Sequence, residues 1–244
     1  MNRKLFISIG FIFFFINSRA QDINVSLQTG YGFYSMRSLE LITDKSAKEL
    51  PFNAKIISNY PTYHYYQPMI KLSKPNFDFG FVYTFQTTGS RISYKDYSGE
   101  YRLDSKINCN SPGIIFIYRG NGISKLKAGI SLKTGINFSV LKWTEYLKVD
   151  NVVNNNLKFR SQSFYFEPGV NLTYSIDRLS FELNLEYYKE FSRENYLQSG
   201  DSKNYIPVNK KFNGEDIWDG FRLGITFTYT LYKTNKTILV YTNS

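Results

Sequence analysis

Cysteine and histidine are almost missing from these 244 residues, with one of each, Cys109 and His64. A single cysteine excludes an internal disulfide framework and a thiolate zinc site, and a single histidine removes every multi-histidine metal centre. No cofactor is therefore expected. Tryptophan is scarce, at 2 residues, yet aromatics reach 18% through 21 Tyr and 21 Phe. That load is too high for a disordered chain. Acids are outnumbered, 20 against 30 basic residues, for a formal charge of +10. No run beyond the N-terminus approaches the roughly 18 apolar residues of a membrane helix, and the mean hydropathy is −0.34, which excludes a bundle of such helices. The length fits one or two domains.

The first twenty residues read as an address. Asn2-Arg3-Lys4 is a short basic start, residues 5–16 are apolar apart from Ser8 and Gly10, and Ser18 and Ala20 are the small residues before a cut after position 20. This is the layout of a secretory signal peptide. Twelve residues of helix span only about 18 Å, short of a hydrocarbon core of about 30 Å, so an anchor is disfavoured. No cysteine follows for lipoprotein processing. Export also argues against nucleic acid as a partner, despite the basic balance. Loss of Arg3, Lys4 and Arg19 leaves a formal charge of +7.

What the rest contains is alternation. Ile23, Val25, Leu27, Tyr31 and Phe33 alternate with small or polar residues, as do Phe77 to Phe85, Leu126 to Phe138, Phe164 to Ile176, Leu179 to Tyr187 and Phe221 to Leu231. Period two is a strand with one greasy and one polar face. Two weaker segments, residues 60–72 and 101–118, bring the expected strands to eight. In the second the apolar parity slips near Pro112-Gly113, which suggests a bulge. Short joins at 73–76, 120–122 and 175–178 alternate with long ones at 37–59, 91–100, 147–157 and 192–216. Residues 39–50 suit a short helix in the first long loop.

A soluble sandwich and a membrane barrel both alternate. Three features favour the barrel: the alternation of short turns with long loops, segments longer than a typical strand of about 5–6 residues, and aromatics near segment ends. The expected girdles are Tyr34, Tyr63, Tyr65, Tyr101, Trp143, Tyr188 and Trp218 on the long-loop side, with Phe77, Tyr118, Tyr174 and Tyr232 on the short-turn side. Closure removes the unsatisfied strand edges that lipid forbids. The expected fold is all-β, a closed antiparallel transmembrane β-barrel of about eight strands, with short periplasmic turns and long extracellular loops. The expected boundaries are a signal peptide over 1–20, an outer-membrane barrel over 21–232, and a short periplasmic tail or barrel extension over 233–244.

On these features residues 22–232 resemble the small eight-stranded outer-membrane barrels of Gram-negative bacteria, the porin-like and surface-antigen-like group. The resemblance is architectural, with no short motif. It implies outer-membrane lipids, lipopolysaccharide included, and the barrel-assembly machinery as partners. One departure is that such barrels usually end on an aromatic residue, whereas here 233–244 follow the last clear strand.

On the polar face Asp78, Asp104, Glu167, Glu182 and Glu186 oppose Arg102, Lys106, Lys127, Lys133 and Arg222, with Lys71 unassigned. Buried charges persist when paired, so a salt-bridged plug is expected over a charge-lined pore. Glu182 and Glu186 lie roughly 13 Å apart along a strand, too far for an acid–base pair. His64 shares parity with lipid-facing residues and sits in no nucleophile motif; a girdle place is expected. Cys109 reads as a small apolar residue. The function expected is a non-enzymatic outer-membrane barrel serving envelope structure, surface binding or limited solute passage. The alternatives are a lipid-modifying acyl hydrolase or transferase and a soluble secreted β-sandwich binding protein. No catalytic or metal-binding residue is assigned, and no loop ligand is legible.

Overall fold

A computed structural model describes residues 22–34, 36–120, 125–149, 151–191, 196–198, 201–206 and 218–233. The expected signal peptide, the tail from 234 onward and much of the loop 192–216 lie outside the described residues. The strands are β1 (Asp22–Tyr34), β2 (Lys55–Asn59), β3 (Tyr63–Lys74), β4 (Phe77–Lys95), β5 (Glu100–Arg119), β6 (Leu126–Lys148), β7 (Val152–Ile176), β8 (Leu179–Phe191), β9 (Tyr196–Gln198), β10 (Asp201–Ile206) and β11 (Gly220–Tyr232). Helix α1 (Arg37–Glu49) lies between β1 and β2. Eight strands close a ring of antiparallel pairs, β1-β3-β4-β5-β6-β7-β8-β11 and back to β1. These are the eight segments whose side chains alternate in the sequence.

The closure is staggered. Partners followed once around the ring run Asp22, Ser73, Asp78, Ile117, Ser131, Gly169, Glu186, Arg222 and arrive at Gly32. The return is ten residues further along β1. With a rise of ~3.3 Å and a strand spacing of ~4.8 Å, this tilts the strands about 40° and gives a wall radius of roughly 8 Å. Side chains fill such a lumen. At that tilt the 13 residues of β1 climb roughly 32 Å and the 25 of β7 roughly 60 Å. An apolar band of about 25 Å accounts for the shorter strands, and β4 to β7 rise well above it.

Two of the expected long loops are therefore strand. The register of β4 with β5 runs unbroken to Lys95↔Glu100, and that of β6 with β7 to Lys148↔Val152. Cross-strand hydrogen bonds satisfy the backbone there more fully than an irregular loop would. At the short-turn end, β7 and β8 are joined by Asp177 and Arg178, with Asp177 at φ 52, a left-handed position that Asp tolerates. Beside the rising strands, β2 pairs with β4, and β9 pairs with both β7 and β10.

Inside and outside change character with height. Low on the ring the outer face is apolar and exposed: Ile70, Phe81 (67%), Ile130, Val170, Leu183 and Phe227. The inner face there is polar and buried: Gln28, Gln67, Lys133, Glu167, Asn184 and Thr226. Higher up, the inner face becomes apolar through Ile92, Ile107, Leu141 and Phe159. This corrects the bulge expected at Pro112-Gly113. β5 keeps one register with β4 from Tyr118 to Glu100, and odd residues face inward along its whole length. The apolar parity flips because the outer solvent changes from lipid to water, not because the backbone slips.

Candidate functional site

The lumen is occupied in tiers. In the middle tier the Arg222 guanidinium donates to Glu167 at 2.8 Å, to the Tyr63 hydroxyl at 2.8 Å and to the Gln86 side-chain oxygen. It lies 3.8 Å from the Tyr188 ring centroid, within cation–π range. Lys133 Nζ donates to Glu186 at 2.7 Å, Gln67 at 2.6 Å and Gln28 at 3.0 Å. The Gln28 amide donates in turn to Glu186 at 2.8 Å, and that of Gln67 to Thr84 at 2.9 Å. All of these side chains are buried. Charges survive here because each meets an opposite charge and further hydrogen bonds.

The lower tier hangs on Arg119. Its guanidinium reaches Asp78, Glu182 at 2.7 Å and Thr173 at 3.2 Å, while Lys71 Nζ lies 3.5 Å from Glu182. Below it a vestibule of about 570 Å³ opens at the short-turn end, with Lys71, Asp78, Arg119, Lys127, Glu182 and Lys233 on its wall.

Above the middle tier lies an aromatic plug. Tyr34 packs against Tyr63 at 4.6 Å and Trp218 at 5.8 Å between centroids, and Tyr165 stacks on Tyr188 at 5.1 Å. Glycine on the wall makes room: a Cβ at Gly32 would fall 2.1 Å from the Tyr63 ring, and one at Gly113 2.2 Å from the Tyr165 hydroxyl. Helix α1 caps the plug with Leu39 and Ile42, beside Met36 that precedes it. Thr43 on the same helix bonds Ser90 of β4 at 3.1 Å. Between α1 and the inner faces of β5 to β7 lies a cavity of about 290 Å³, bordered by Ser46, Glu49, Tyr101, Trp143, Glu145 and Asn155. Burial pushes the Tyr101 hydroxyl up to about 12. At the β4–β5 tip, hydrogen bonds from Tyr94 and then Ser98 hold the Asp96 carboxyl down to about 2.

The sequence-derived residues divide between the two faces. Asp78, Lys127, Lys133, Glu167, Glu182, Glu186 and Arg222 are inside. Arg102, Asp104 and Lys106 are not: they stand on the outer face above the apolar belt, where Asp104 pairs with Arg91 and with Arg102 at 3.1 Å. The unbroken register of β5 puts them there, and water solvates them. Lys71, Arg119 and Glu190 are inside and were not assigned by alternation. On the short-turn side Phe77, Tyr118, Tyr174 and Tyr232 face outward. On the long-loop side the expected girdle is corrected. Tyr34, Tyr63, Tyr65, Tyr101, Trp143 and Tyr188 point inward, because their parity on each strand is that of the lumen, and Trp218, just before β11, is buried in the same cluster. The outward aromatics at that height are Tyr31, Phe33, Phe85, Phe138, Phe164 and Phe221. Parity with Lys71, Glu182 and Lys133 in the same strands would have found Tyr63, Tyr65, Tyr188 and Trp143.

His64 does face outward, edge-on to Tyr31 and Tyr66, with Nε2 3.2 Å from the Thr29 hydroxyl. Among the described residues no carboxylate bonds to its ring. Cys109 is buried against Ser111. Among the described residues no group of His, Cys, Asp and Glu is arranged to hold a metal ion, and no helix is long and apolar enough to cross a membrane.

No protein-family model and no characterised protein sequence matches the chain. Solved structures do. Neisserial surface protein A shares 11% identity over 87% of this chain and 99% of its own, with a TM-score of 0.40. A major outer membrane protein of Thermus thermophilus shares 13% over 85% and 99%, at 0.44. The attachment invasion locus protein Ail of Yersinia pestis shares 10% over 85% and 99%, at 0.36. The fold stands on the hydrogen-bonded ring, the belt and the filled lumen themselves: the chain is a closed eight-stranded antiparallel transmembrane β-barrel.

Proposed function

We propose that the protein is an integral outer-membrane barrel without enzymatic activity, a sealed scaffold that carries a wall of strands on the cell surface for envelope structure or surface binding. The observation that carries this reading is the filled lumen. A charged tier around Arg222 and Lys133, an aromatic plug and a capping helix stand in series across a wall of roughly 8 Å radius. Solute passage is the weaker reading for the same cause. The signal peptide supports export, and the apolar belt supports residence among outer-membrane lipids, lipopolysaccharide included, after insertion by the barrel-assembly machinery. Among the described residues the outward His64 has no orienting carboxylate, which supports a structural role over acyl transfer or hydrolysis.

Planar-bilayer recording on the refolded protein is the test. No steady conductance is expected, and a persistent open level in the wild type would sink the sealed-scaffold reading. Replacement of His64 by Ala is expected to leave membrane lipid acylation unchanged. Recovery of the folded chain in the soluble periplasm would remove the barrel reading altogether.

A further inference from the structure

Just above the apolar belt, three lysines stand shoulder to shoulder on the outer wall. Lys106 of β5 pairs directly with Lys142 of β6, and Lys142 with Lys158 of β7. All three side chains are exposed on the outer face, and Arg160 adds a fourth charge two positions below Lys158. Directly paired residues in a sheet hold their Cβ atoms about 4.5–5.5 Å apart, and like charges so placed are destabilising. Among the described residues no carboxylate forms an ion pair with any of them; Asp104, the nearest on that face, is taken by Arg91 and Arg102. In the lumen, by contrast, Arg119, Lys133 and Arg222 each meet a carboxylate, so three like charges side by side on the outer wall stand apart from the way charge is placed inside.

Its height is informative. On β6 the outer face reads Phe138, Val140, Lys142 going upward. Four residues place the row roughly 10 Å above Phe138 at the strand tilt found here. That is the level of the headgroups, not of the acyl chains, and long lysine stems can lower their ammonium groups further. The row also ends against an outer groove of about 410 Å³ whose lining includes Lys106 and its strand partner Gly89.

We propose that Lys106, Lys142, Lys158 and Arg160 form a binding row for the phosphorylated headgroups of outer-leaflet glycolipid. The missing counter-charges are then supplied by the membrane. This rests on the outer-membrane reading above and goes beyond it by naming the residues and the anion.

The test compares the refolded full-length barrel in phosphatidylcholine vesicles, in vesicles with added diphosphoryl lipid A, in vesicles with dephosphorylated lipid A, and in plain vesicles with inorganic phosphate. The temperature at which the heat-modifiable folded band is lost is read in each. Only diphosphoryl lipid A is expected to raise it, and high salt to abolish the gain. Lys106→Gln/Lys142→Gln/Lys158→Gln is expected to keep the folded band and lose the gain, with affinity falling about fivefold per lysine. Lys142→Arg, which keeps the charge, is expected to retain it. An equal gain from dephosphorylated lipid, an equal gain from soluble phosphate, or an undiminished gain in the triple glutamine variant would each overturn the proposal. Absence of a heat-modifiable band in every vesicle would instead overturn the barrel reading beneath it.

Discussion

The lower ring and the upper wall are made of the same strands and obey opposite rules. Below, the outside is Phe, Leu, Ile and Val and the inside is Gln, Lys, Glu and Arg. Above, on the continuation of β5, β6 and β7, the outside is Arg102, Lys142 and Lys158 and the inside is Ile107, Leu141 and Phe159. The inversion requires no break in register. It teaches that which face of a strand is greasy is decided by what the outer face touches, while which face points inward is decided by the backbone alone. The lower ring hides charge from lipid and the upper wall hides hydrocarbon from water.

The comparison breaks most sharply at Arg222. Arg222→Ala leaves the buried Glu167 without its bonded guanidinium, with only Lys133 at 4.0 Å and the Gln67 amide at 3.3 Å, and about 3–5 kcal/mol of stability is expected to vanish in urea titrations of the refolded barrel. Arg222→Met with Glu167→Leu should recover most of it. A single-variant loss below about 1 kcal/mol would mean that the middle tier is wet and open. Next comes the outer face. Ile130→Arg, in the belt, is expected to cost about 2–4 kcal/mol in a bilayer, whereas Asn154→Arg, on the exposed upper wall, should stay within about 0.5 kcal/mol. Equal effects at the two positions would abolish the distinction between the regions.

Leu141→Ala tests whether the upper core stands alone. A local loss of about 2–4 kcal/mol is expected. It should appear as protease cleavage of the upper hairpins while the heat-modifiable ring survives. Cleavage matched by loss of the ring would show one cooperative unit. The smallest effect lies at the β4–β5 tip. The Asp96 carboxyl is lowered to about 2 by Tyr94 and Ser98, so its folded form prefers the charged state. Its contribution is complete above the ordinary carboxylate range of about 3.9 and is lost as pH falls toward 2. Amide exchange at Ser98 and Gly99, both donors to this carboxylate, should accelerate over that window with the ring unchanged. Exchange that does not vary there would detach Asp96 from the order of the tip.

The ring was legible because lipid imposes a strict period of two, and six of its strands announce themselves without interruption. The first-loop helix was legible as well. The seven upper aromatics were misplaced because nearness to a loop was read ahead of parity. Tyr63 and Tyr65 share their strand face with Gln67 and Lys71, and Tyr188 shares its face with Glu182 and Glu186. An aromatic can serve as a girdle or as a plug, and only its face decides. β5 shows the converse. Its residues change polarity partner halfway along, so alternation taken as a constant code placed Arg102, Asp104 and Lys106 inside and missed Arg119. Pairing across the lumen, such as Arg119 with Asp78 and Glu182, depends on the ten-residue stagger, which no single strand encodes.

The four longest strands follow one another around the ring, and 12 or 13 residues suffice for β3, β1, β11 and β8. The described rim is therefore tall along one arc and low along the other. In its described strands the barrel has a front and a back in the plane of the membrane. Neighbours that drift past meet a parapet from one direction and a low sill from the other. Even a freely rotating copy thus meets a crowded surface as a directional body.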